Sequence, residues 1–514
     1  MISVTLLFVI PLGASLLSLG LRTPKALYRV NLAAMTLLGG AQALLMSRVL
    51  REGSFLAYDD LVHVDALASV VLLVITMIGF TSSLYAWKYF DHYLAQGTIT
   101  PPMMKRYFSL FHLFMFAMIL ATLANSLGIL WVAIEATTLA TTFLINFFRR
   151  KASLEAGWKY VILCSVGIAL ALFGTVLMYS SSVRALGDVS AALNITELLA
   201  VAGRLDPHVV KLAFVFILVG YGTKIGLVPM HTWIPEAYGE APAPVTAMLA
   251  GVLETVAFYA ILRSKLVVDA VVSPGYAGNL LIMFGFLSFG VSALFILVQR
   301  DYKRLFAYSS IEHMGIAAIG FGVGGVGTFG ALFHLINHAL SKSLAFFAAG
   351  NIHIRFGTRN IDSVRGLMRA QPWTATALLI AALALVGMPP MAMFASEFSV
   401  LAALATRVYA TDSIHLGRFL TIMIADEVRN LVLVTGFMVI TVVVFGGLTY
   451  RVAGMVWGDP PEGVQRGEKL GLSHLPFALS IGTLVVLGVT IPWPLRELMG
   501  MAVAIITAGS FHHE

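Results

Sequence analysis

Apolar segments of about 20 residues recur from the first residue almost to the last, and they constrain the fold more than any other feature of the sequence. A helix of that length crosses a hydrocarbon core of roughly 30 Å. The 514 residues are 59% hydrophobic and only 11% charged, whereas soluble domains carry roughly 25% charged residues. The sequence therefore predicts an all-α, polytopic membrane protein without room for a soluble domain.

The apolar segments predict about 14 transmembrane helices. They lie near residues 1–20, 28–47, 61–86, 107–124, 127–148, 158–180, 208–228, 242–262, 277–298, 304–323, 328–350, 373–405, 430–450 and 474–491. The first segment lacks a basic start and a small-residue cleavage site, so we expect it to remain as the first span. The stretch after residue 491 is short and flanked by proline, and we expect an interfacial tail there.

Lys and Arg are roughly twice as frequent in the odd-numbered connections between spans as in the even-numbered ones. Because basic connections stay in the cytoplasm, this bias predicts a multi-pass protein with both termini outside. The net charge of +7 follows from the same bias. Lipid is therefore an expected partner, and nucleic acid is not.

Two proline-containing segments interrupt the helical pattern at membrane depth. The first is broken at Pro229 and Pro235, and the second at Pro389 and Pro390. Five predicted spans separate them, so two five-helix units of opposite orientation each contain a broken helix. Inverted repeats that meet at broken helices are typical of transporters, because the freed backbone groups need a protein-lined, hydrated cavity. The alternative is that these prolines are ordinary helix kinks that coincide in position.

This pattern divides the chain into four parts. They are residues 1–106 with helices 1 to 3, residues 107–264 with the first inverted repeat, residues 275–450 with the second inverted repeat, and residues 451–514 with a C-terminal helix and tail.

Several ionisable side chains lie inside predicted spans. Each costs at least about 2.5 kcal/mol on insertion scales, and such groups normally mark ion paths or pair with one another. Nine of these residues are predicted to take part in proton translocation: Glu135, Lys224, Glu254, Glu312, His313, His334, His338, Lys342 and Glu397. For the two lysines the alternative is that the long side chain reaches the membrane surface.

His334, His338 and Lys342 follow one another at intervals of four residues, so they share one face of a helix along about 12 Å. Histidine exchanges protons near neutral pH, and the stripe therefore favours a proton relay. The alternative is a set of core histidines hydrogen-bonded to Ser341 or Asn337. A metal or haem site is disfavoured, because no HExxH motif completes a zinc site and histidines of one helix cannot face each other across a haem.

Glu135 and Lys224 are predicted to form a buried ion pair. At about 4 Å and an effective dielectric constant near 20, the carboxylate stabilises the ammonium by up to about 4 kcal/mol. Moving the acid away would favour loss of the proton from Lys224. A conformational change that opens and closes this pair would make Lys224 a proton station, from which charge passes to the histidine stripe.

Five stretches resemble, in order, the proton-pumping antiporter-like membrane subunits of respiratory complex I, Mrp-type sodium/proton antiporters and group 4 membrane-bound hydrogenases. They read "WVAIEATTLATTFLI", "GYGTKIGLVPMHTWIPEAYGEAPAPVTAMLAG", "RDYKRLFAYSSIEHMGI", "LFHLINHALSKSLAFFAAGNI" and "GMPPMAMFASEF". The segments "IEATTL", "SLEAGWKY" and "PPMAMFASEF" are most similar to the F component of hydrogenase-4 and formate hydrogenlyase.

The resemblance implies that Glu135 and Lys224 are the ion pair of a first half-channel. It also implies that His334 and His338 line a central hydrophilic axis and that Glu397 is the terminal carboxylate of a second half-channel. The implied localisation is the prokaryotic inner membrane.

The resemblance further implies a subunit without a redox centre of its own. Iron–sulfur and nickel-iron or other redox centres are then expected in partner subunits, namely a peripheral redox arm that works with other antiporter-like and small membrane subunits. The single cysteine, Cys164, agrees with this, since one thiol cannot hold an iron–sulfur cluster. Two features differ from relatives: Glu254 stands where many complex I relatives have lysine, and the chain lacks the long lateral helix that the most distal complex I subunit bears.

Two other functions stay open at this point. One is a sodium/proton antiporter subunit of the Mrp type, which would exchange ions without a redox partner. The other is an energy-coupling subunit for uptake of inorganic carbon such as bicarbonate.

Overall fold

The structure is a computed structural model that describes residues 2–187, 189, 191–407, 426–469 and 471–508. Within these residues the backbone is almost entirely helical. Ten helices are long and apolar enough to cross a membrane, or eleven if a bent C-terminal pair counts as one span. The helices at Tyr302–Val323 and Val326–Phe356 are not among the ten although they are long enough, because polar residues lower their hydropathy.

The N-terminal part contains three helices and a hairpin: α1 (Ile2–Gly20), α2 (Pro24–Glu52), β1 (Phe55–Ala57), β2 (Val62–Val64) and α3 (Ala66–Ala95). The two strands pair in antiparallel register, with Phe55 opposite Val64. This hairpin departs from the all-α prediction, and the third span begins at Ala66 rather than at residue 61. The helix begins there because the Asp65 side chain accepts a hydrogen bond from the Ala68 amide at 2.8 Å.

The next helices are α4 (Pro101–Leu123), α5 (Leu127–Ile145), α6 (Lys151–Leu186), α7 (Ile195–Ala200), α8 (Pro207–Ile225), α9 (Trp233–Glu240), α10 (Ala243–Met248) and α11 (Glu254–Val271). A 3-10 turn at Ala202–Arg204 precedes α8, and a π-helical turn at Leu249–Leu253 joins α10 to α11. Helix α10, this turn and α11 together form one membrane span that is fully buried inside the protein.

The remaining helices are α12 (Pro274–Val298), α13 (Tyr302–Val323), α14 (Val326–Phe356), α15 (Leu367–Ala370), α16 (Pro372–Leu385), α17 (Ala392–Ala405), α18 (Asp426–Val456), α19 (Leu475–Val489) and α20 (Trp493–Ala508). Short 3-10 turns lie at Ile361–Ser363 and Leu472–His474. Helices α19 and α20 meet at 71°. The expected interfacial tail is therefore helical, with Leu498 and Met499 buried, and residues 509–514 of this tail lie outside the described residues.

The first discontinuous helix consists of α8 and α9. Helix α8 ends at Gly226, whose φ of +85° is the left-handed conformation that glycine tolerates. Pro229 lies in the irregular segment that follows. Pro235, in contrast, lies in the first turn of α9 and does not mark a break, because the first turn of a helix needs no amide hydrogen at that position. The helical backbone of this region is interrupted once more at Ala241 and Pro242, between α9 and α10.

The second discontinuous helix consists of α16 and α17. Irregular backbone over residues 386–391 separates them, and Pro389 and Pro390 lie inside this segment. Both helices are shorter than a full span, with 14 residues each. Each of the two discontinuous helices thus contains one stretch of irregular backbone, at residues 226–232 and 386–391.

Glycine allows two helix pairs to approach closely. A Cβ on Gly220 of α8 would lie 2.5 Å from the backbone nitrogen of Ala171 on α6, and a Cβ on Gly315 of α13 would lie 2.7 Å from the carbonyl oxygen of Gly285 on α12. Small residues at such contacts are typical of membrane helix packing. These contacts fix the positions of α8 and α13, which carry several of the predicted site residues.

A buried ion pair joins the start of α3 to α11. Arg263 contacts both carboxylate oxygens of Asp65 at 2.7 Å, and the side chains are only 2% and 1% exposed. The guanidinium also lies 4.7 Å from the ring centre of Tyr259. Burial raises the pKa of Asp65, but the charge of Arg263 outweighs it, so this pKa is lowered overall.

We expect Asp65→Ala to lower the free energy of unfolding by about 3–5 kcal/mol, because the charge of Arg263 would remain buried without a partner. Thermal unfolding of the purified protein in detergent measures this loss. Glu52→Ala is the control, since it removes the exposed ion pair with Arg48 and should leave the unfolding temperature unchanged. Equal losses for the two variants would contradict the role of the buried pair.

Candidate functional site

A row of buried polar side chains crosses the interior of the protein from α8 to α17. Eight of the nine residues predicted for proton translocation are buried, and Glu135 is half-buried. The row is contributed by α6, α8, α9, α11, α13, α14 and α17, so it crosses both discontinuous helices. We call this row the polar axis.

Lys224 forms the first end of the polar axis, in the last turn of α8. Its ammonium donates a hydrogen bond of 2.7 Å to the hydroxyl of Tyr160 and lies 4.6 Å from the centre of that ring. The same hydroxyl shares a 2.7 Å hydrogen bond with Thr141. The indole nitrogen of Trp233 donates to the Thr223 carbonyl at 2.7 Å and thereby satisfies one of the free carbonyl groups at the end of α8.

Glu135 does not contact Lys224 in this conformation. Its carboxylate accepts a hydrogen bond of 2.9 Å from Thr138 on the same helix. Among the described residues no ion pair within 4.0 Å joins Glu135 to Lys224, and Tyr160 takes the place that the sequence prediction gave to the acid. The Glu135 side chain is only partly buried in this arrangement.

Glu254 lies at the centre of the polar axis. It accepts a hydrogen bond of 2.6 Å from the hydroxyl of Tyr238, and its other oxygen lies 3.9 Å from Nε2 of His338. The π-helical turn ends immediately before Glu254. Such turns are rare and are frequent at functional sites, and this one places Glu254 against α14.

His313 lies at the centre of the part of the polar axis that α13, α14 and α17 form, which we call its second half. Its ring lies 5.1 Å from the ring of His334 and 5.4 Å from the ring of His338, centre to centre. Its Nε2 lies 3.3 Å from a carboxylate oxygen of Glu312, and its Nδ1 lies 3.9 Å from one of Glu397. The predicted histidine stripe of α14 therefore meets a third histidine and two acids from neighbouring helices.

The other two members of the stripe have partners that the sequence did not indicate. Nδ1 of His334 lies 3.1 Å from the hydroxyl of Ser396. The ammonium of Lys342 donates to the carbonyl of Phe306 at 2.8 Å. The alternative of core histidines bonded to Asn337 or Ser341 does not describe this arrangement, since the side chains of both residues make no hydrogen bond to protein groups in the described part of the chain.

Many polar atoms of the axis are buried without a hydrogen bond to another group of the described residues. They include Oε2 of Glu254 and of Glu312 and both ring nitrogens of His338. A buried polar group left unpaired costs about 1–3 kcal/mol. Ordered water satisfies buried groups of this kind, and water that reaches the carboxylates and imidazoles can exchange protons with them.

His313, His334 and Glu397 also offer three ligand atoms within 4.8 Å of one another. Two imidazoles and one carboxylate are a ligand set that suits zinc. Each of the three belongs to the polar axis, however, and His334 already contacts Ser396. We therefore assign the cluster to the axis.

Sequence reasoning missed Tyr160, Tyr238 and Ser396. Tyr238 lies inside the quoted stretch that contains the first helix break, and its place there could have identified it as a candidate site residue. Tyr160 is the last residue of the quoted segment "SLEAGWKY", but nothing in that segment distinguishes a tyrosine that bonds a buried lysine from a core tyrosine.

Comparison with known proteins identifies relatives of the whole axis region. Residues 124–423 match the family described as NADH:quinone oxidoreductase/Mrp antiporter, transmembrane. The chain is 44% identical over 345 residues to a hydrogenase-4 component F homolog of Methylacidiphilum infernorum (isolate V4), covering 67% of this chain and 72% of the relative. It is 30% identical over 355 residues to hydrogenase-4 component B of Escherichia coli (strain K12), covering 66% of this chain and half of that relative.

A solved structure has a similar fold. A chain of the membrane-bound sulfane sulfur reductase, an archaeal respiratory membrane complex, superposes with a TM-score of 0.83 at 24% sequence identity. The superposition covers 98% of this chain and 97% of the other. The family match contains both helix breaks and all nine predicted site residues.

We expect Tyr160→Phe to lower the free energy of unfolding by about 1.5–3 kcal/mol, because Lys224 would lose a charge-assisted hydrogen bond in the protein interior. Tyr107→Phe is the matched control, since the hydroxyl of Tyr107 is buried without a hydrogen bond among the described residues. Thermal unfolding in detergent compares the two variants. A loss for Tyr107→Phe as large as that for Tyr160→Phe would show that the hydrogen bond is not responsible.

Proposed function

The chain belongs to the NADH:quinone oxidoreductase/Mrp antiporter family of membrane proteins, and from this premise we propose that it translocates protons as a subunit of a multisubunit redox-driven complex. It is homologous to antiporter-like membrane subunits of membrane-bound hydrogenases, complex I and Mrp antiporters. The complex is a membrane-bound hydrogenase or a quinone oxidoreductase of the complex I type.

The polar axis is the observation that supports this proposal. Insertion of one ionisable group into a membrane costs at least about 2.5 kcal/mol, yet the axis holds eight buried ones. Its contacts run from Lys224 through Tyr160, and from Tyr238 through Glu254 to the histidines. Trp233 stands between the two tyrosines, 4.9 Å and 6.0 Å from their ring centres. Burial of so many ionisable groups lowers the stability of the protein, and a proton relay is a function that requires them.

The mechanism assigns Lys224 the role of a proton station. When the half-buried carboxylate of Glu135 moves toward the ammonium, the charged form of Lys224 is stabilised. When the carboxylate moves away, the amine releases its proton to Glu254, with the hydroxyl of Tyr238 and water as carriers. Irregular backbone directly after α8 gives this end of the axis freedom to move.

The second half receives the proton from Glu254. His338 lies nearest to the carboxylate, and His313 connects it to the cluster with His334 and Glu397. Glu312 and Lys342 lie beside this cluster and exchange protons with it. Glu397 follows the second break, so it is placed to pass the proton out of the protein.

The proposed setting follows from the same family. The chain itself carries no redox centre, and iron–sulfur or nickel-iron centres lie in a peripheral arm. Other antiporter-like and small membrane subunits are its neighbours in the prokaryotic inner membrane. Both termini lie outside, and residues 107–264 and 275–450 act as two inverted repeats, one for each half of the axis.

Sodium/proton exchange is the second candidate, because the matching family includes Mrp antiporters. The stripe of histidines favours protons over sodium, since imidazole nitrogen binds hydrogen ions far better than hard alkali cations. Sodium-dependent exchange by the purified complex without an electron donor would favour the antiporter.

We expect Lys224→Ala to abolish proton pumping, because the relay loses its first station. Proton uptake by membrane vesicles that contain the native complex measures this effect, and redox turnover with artificial acceptors should stay intact. Lys211→Ala is the control, since Lys211 lies on the same helix but packs over the ring of Tyr276, away from the axis. Unchanged uptake in Lys224→Ala vesicles would overturn the proposed function.

We expect Glu254→Gln to reduce pumping at least tenfold. Glutamine has the same shape and still accepts the hydrogen bond from Tyr238, but it cannot carry a proton. The same vesicle assay applies, with Glu197→Gln in α7 as the control. Normal pumping by Glu254→Gln would remove the centre of the axis from the proton path.

A further inference from the structure

A polar cavity of about 300 Å³ lies beside the polar axis and contains none of the nine predicted site residues. Basic, acidic and imidazole side chains line it: Arg150, Glu240, Lys303, His353 and Arg359. Arg150 precedes α6, Lys303 begins α13, and Arg359 follows α14. The cavity therefore lies at the basic connections, on the side that the charge bias assigns to the cytoplasm.

Lys303 ties this cavity to the first discontinuous helix. Its ammonium is buried and donates to the carbonyl groups of Gly239 at 3.0 Å and Ala241 at 2.7 Å. These carbonyls lie at the end of α9, where the helix leaves its carbonyl groups unpaired. Glu240, between them, pairs with Arg359 at 2.7 Å. The wall of the cavity is thus the same segment that carries Tyr238 of the polar axis.

Helix α14 connects the cavity to Lys342. Gly350 lines the cavity, and Phe346 and Lys342 lie one and two turns before it on the same face, about 6 Å and 12 Å along the helix. The ring of Phe346 is fully buried and lies 5.8 Å from the ring of Tyr238 and 6.2 Å from the ring of Phe306. These three rings form an aromatic layer between the cavity and Lys342.

We propose that the cavity is an entrance through which protons reach the second half of the polar axis at Lys342, and that Phe346 is the gate between this entrance and Lys342. The inference rests on the proposed function and adds to it a site and a side of entry. The ring of Phe346 carries no group that can bind a proton, so a proton crosses the layer only when this ring moves aside. When Lys342 has given its own proton to the axis, a hydronium ion from the cavity donates a proton to the amine and leaves as water.

Tyr238 links the aromatic layer to the polar axis. Its ring packs against Phe346, while its hydroxyl donates to Glu254. A movement of the Phe346 ring therefore shifts the Tyr238 ring and changes its hydrogen bond to Glu254. Opening of the entrance and the state of the central carboxylate are coupled through one side chain.

Passive proton flux tests the gate. The purified full chain is placed in liposomes, a potassium gradient with valinomycin drives protons inward, and a pH-sensitive dye records the flux. We expect Phe346→Ala to raise the flux at least tenfold over the unsubstituted chain, and Phe346→Leu to keep it low. Phe346→Val gives the same test with a smaller loss of packing if the alanine variant does not fold.

Two further variants separate the gate from general loosening. Phe321→Ala removes a ring of the same size from α13, where it packs 5.5 Å from Phe258 and outside the aromatic layer, and its flux should stay low. Adding Lys342→Met to Phe346→Ala should return the flux to its low level, because the path then lacks its acceptor.

Three results would overturn the gate: no rise in flux for Phe346→Ala or Phe346→Val, an equal rise for Phe321→Ala, or a flux that survives Lys342→Met. The flux assay and the pumping assay distinguish a failure of the gate from a failure of the proposed function. If Lys224→Ala abolishes pumping while Phe346→Ala stays tight, only the gate fails. If Lys224→Ala vesicles pump normally, the function fails, whatever flux Phe346→Ala shows.

Discussion

The rest of the structure depends on one constraint, which is that a polar group inside the membrane must find a partner within the protein. The ammonium of Lys224 is hydrogen-bonded to Tyr160, and the guanidinium of Arg263 is paired with the carboxylate of Asp65. In both pairs the two residues come from different helices. Each buried charge therefore fixes the position of one helix against another, and the polar groups determine the packing of an otherwise apolar bundle.

The same constraint applies to the interrupted backbone. After α8 the chain leaves helical geometry, and side chains from elsewhere replace the missing backbone bonds. Trp233 donates to the carbonyl of Thr223, Ser288 accepts from the amide of Val228 at 2.9 Å, and Lys303 donates to the end of α9. Irregular backbone is stable at this depth only because protein surrounds it. The break is thus a place where backbone can move without exposing polar groups to lipid.

Hydropathy and the cost of buried charge made the nearly all-helical membrane fold, the two broken regions and the burial of eight of the nine ionisable residues predictable from the sequence. Contacts between helices were not predictable in the same way. The pairing of Glu135 with Lys224 depends on the rotation of α5, and the central position of His313 depends on the register of α13 against α14. Tyr160 lies in a segment that resembles the family, but its bond to Lys224 could not be predicted, because that bond depends on how α6 packs against α8.

The axis contains two kinds of link, and their lengths indicate where transfer is controlled. Lys224 to Tyr160 and Tyr238 to Glu254 are hydrogen bonds of 2.7 Å and 2.6 Å, along which a proton can move without rearrangement. Glu254 to His338 is 3.9 Å, as is His313 to Glu397, and such separations are too long for hydrogen bonds. Transfer across them needs a water molecule or a side-chain movement. Control of transfer within the axis therefore lies in the long links that conformational change can close, whereas the short bonds carry a proton without such a change.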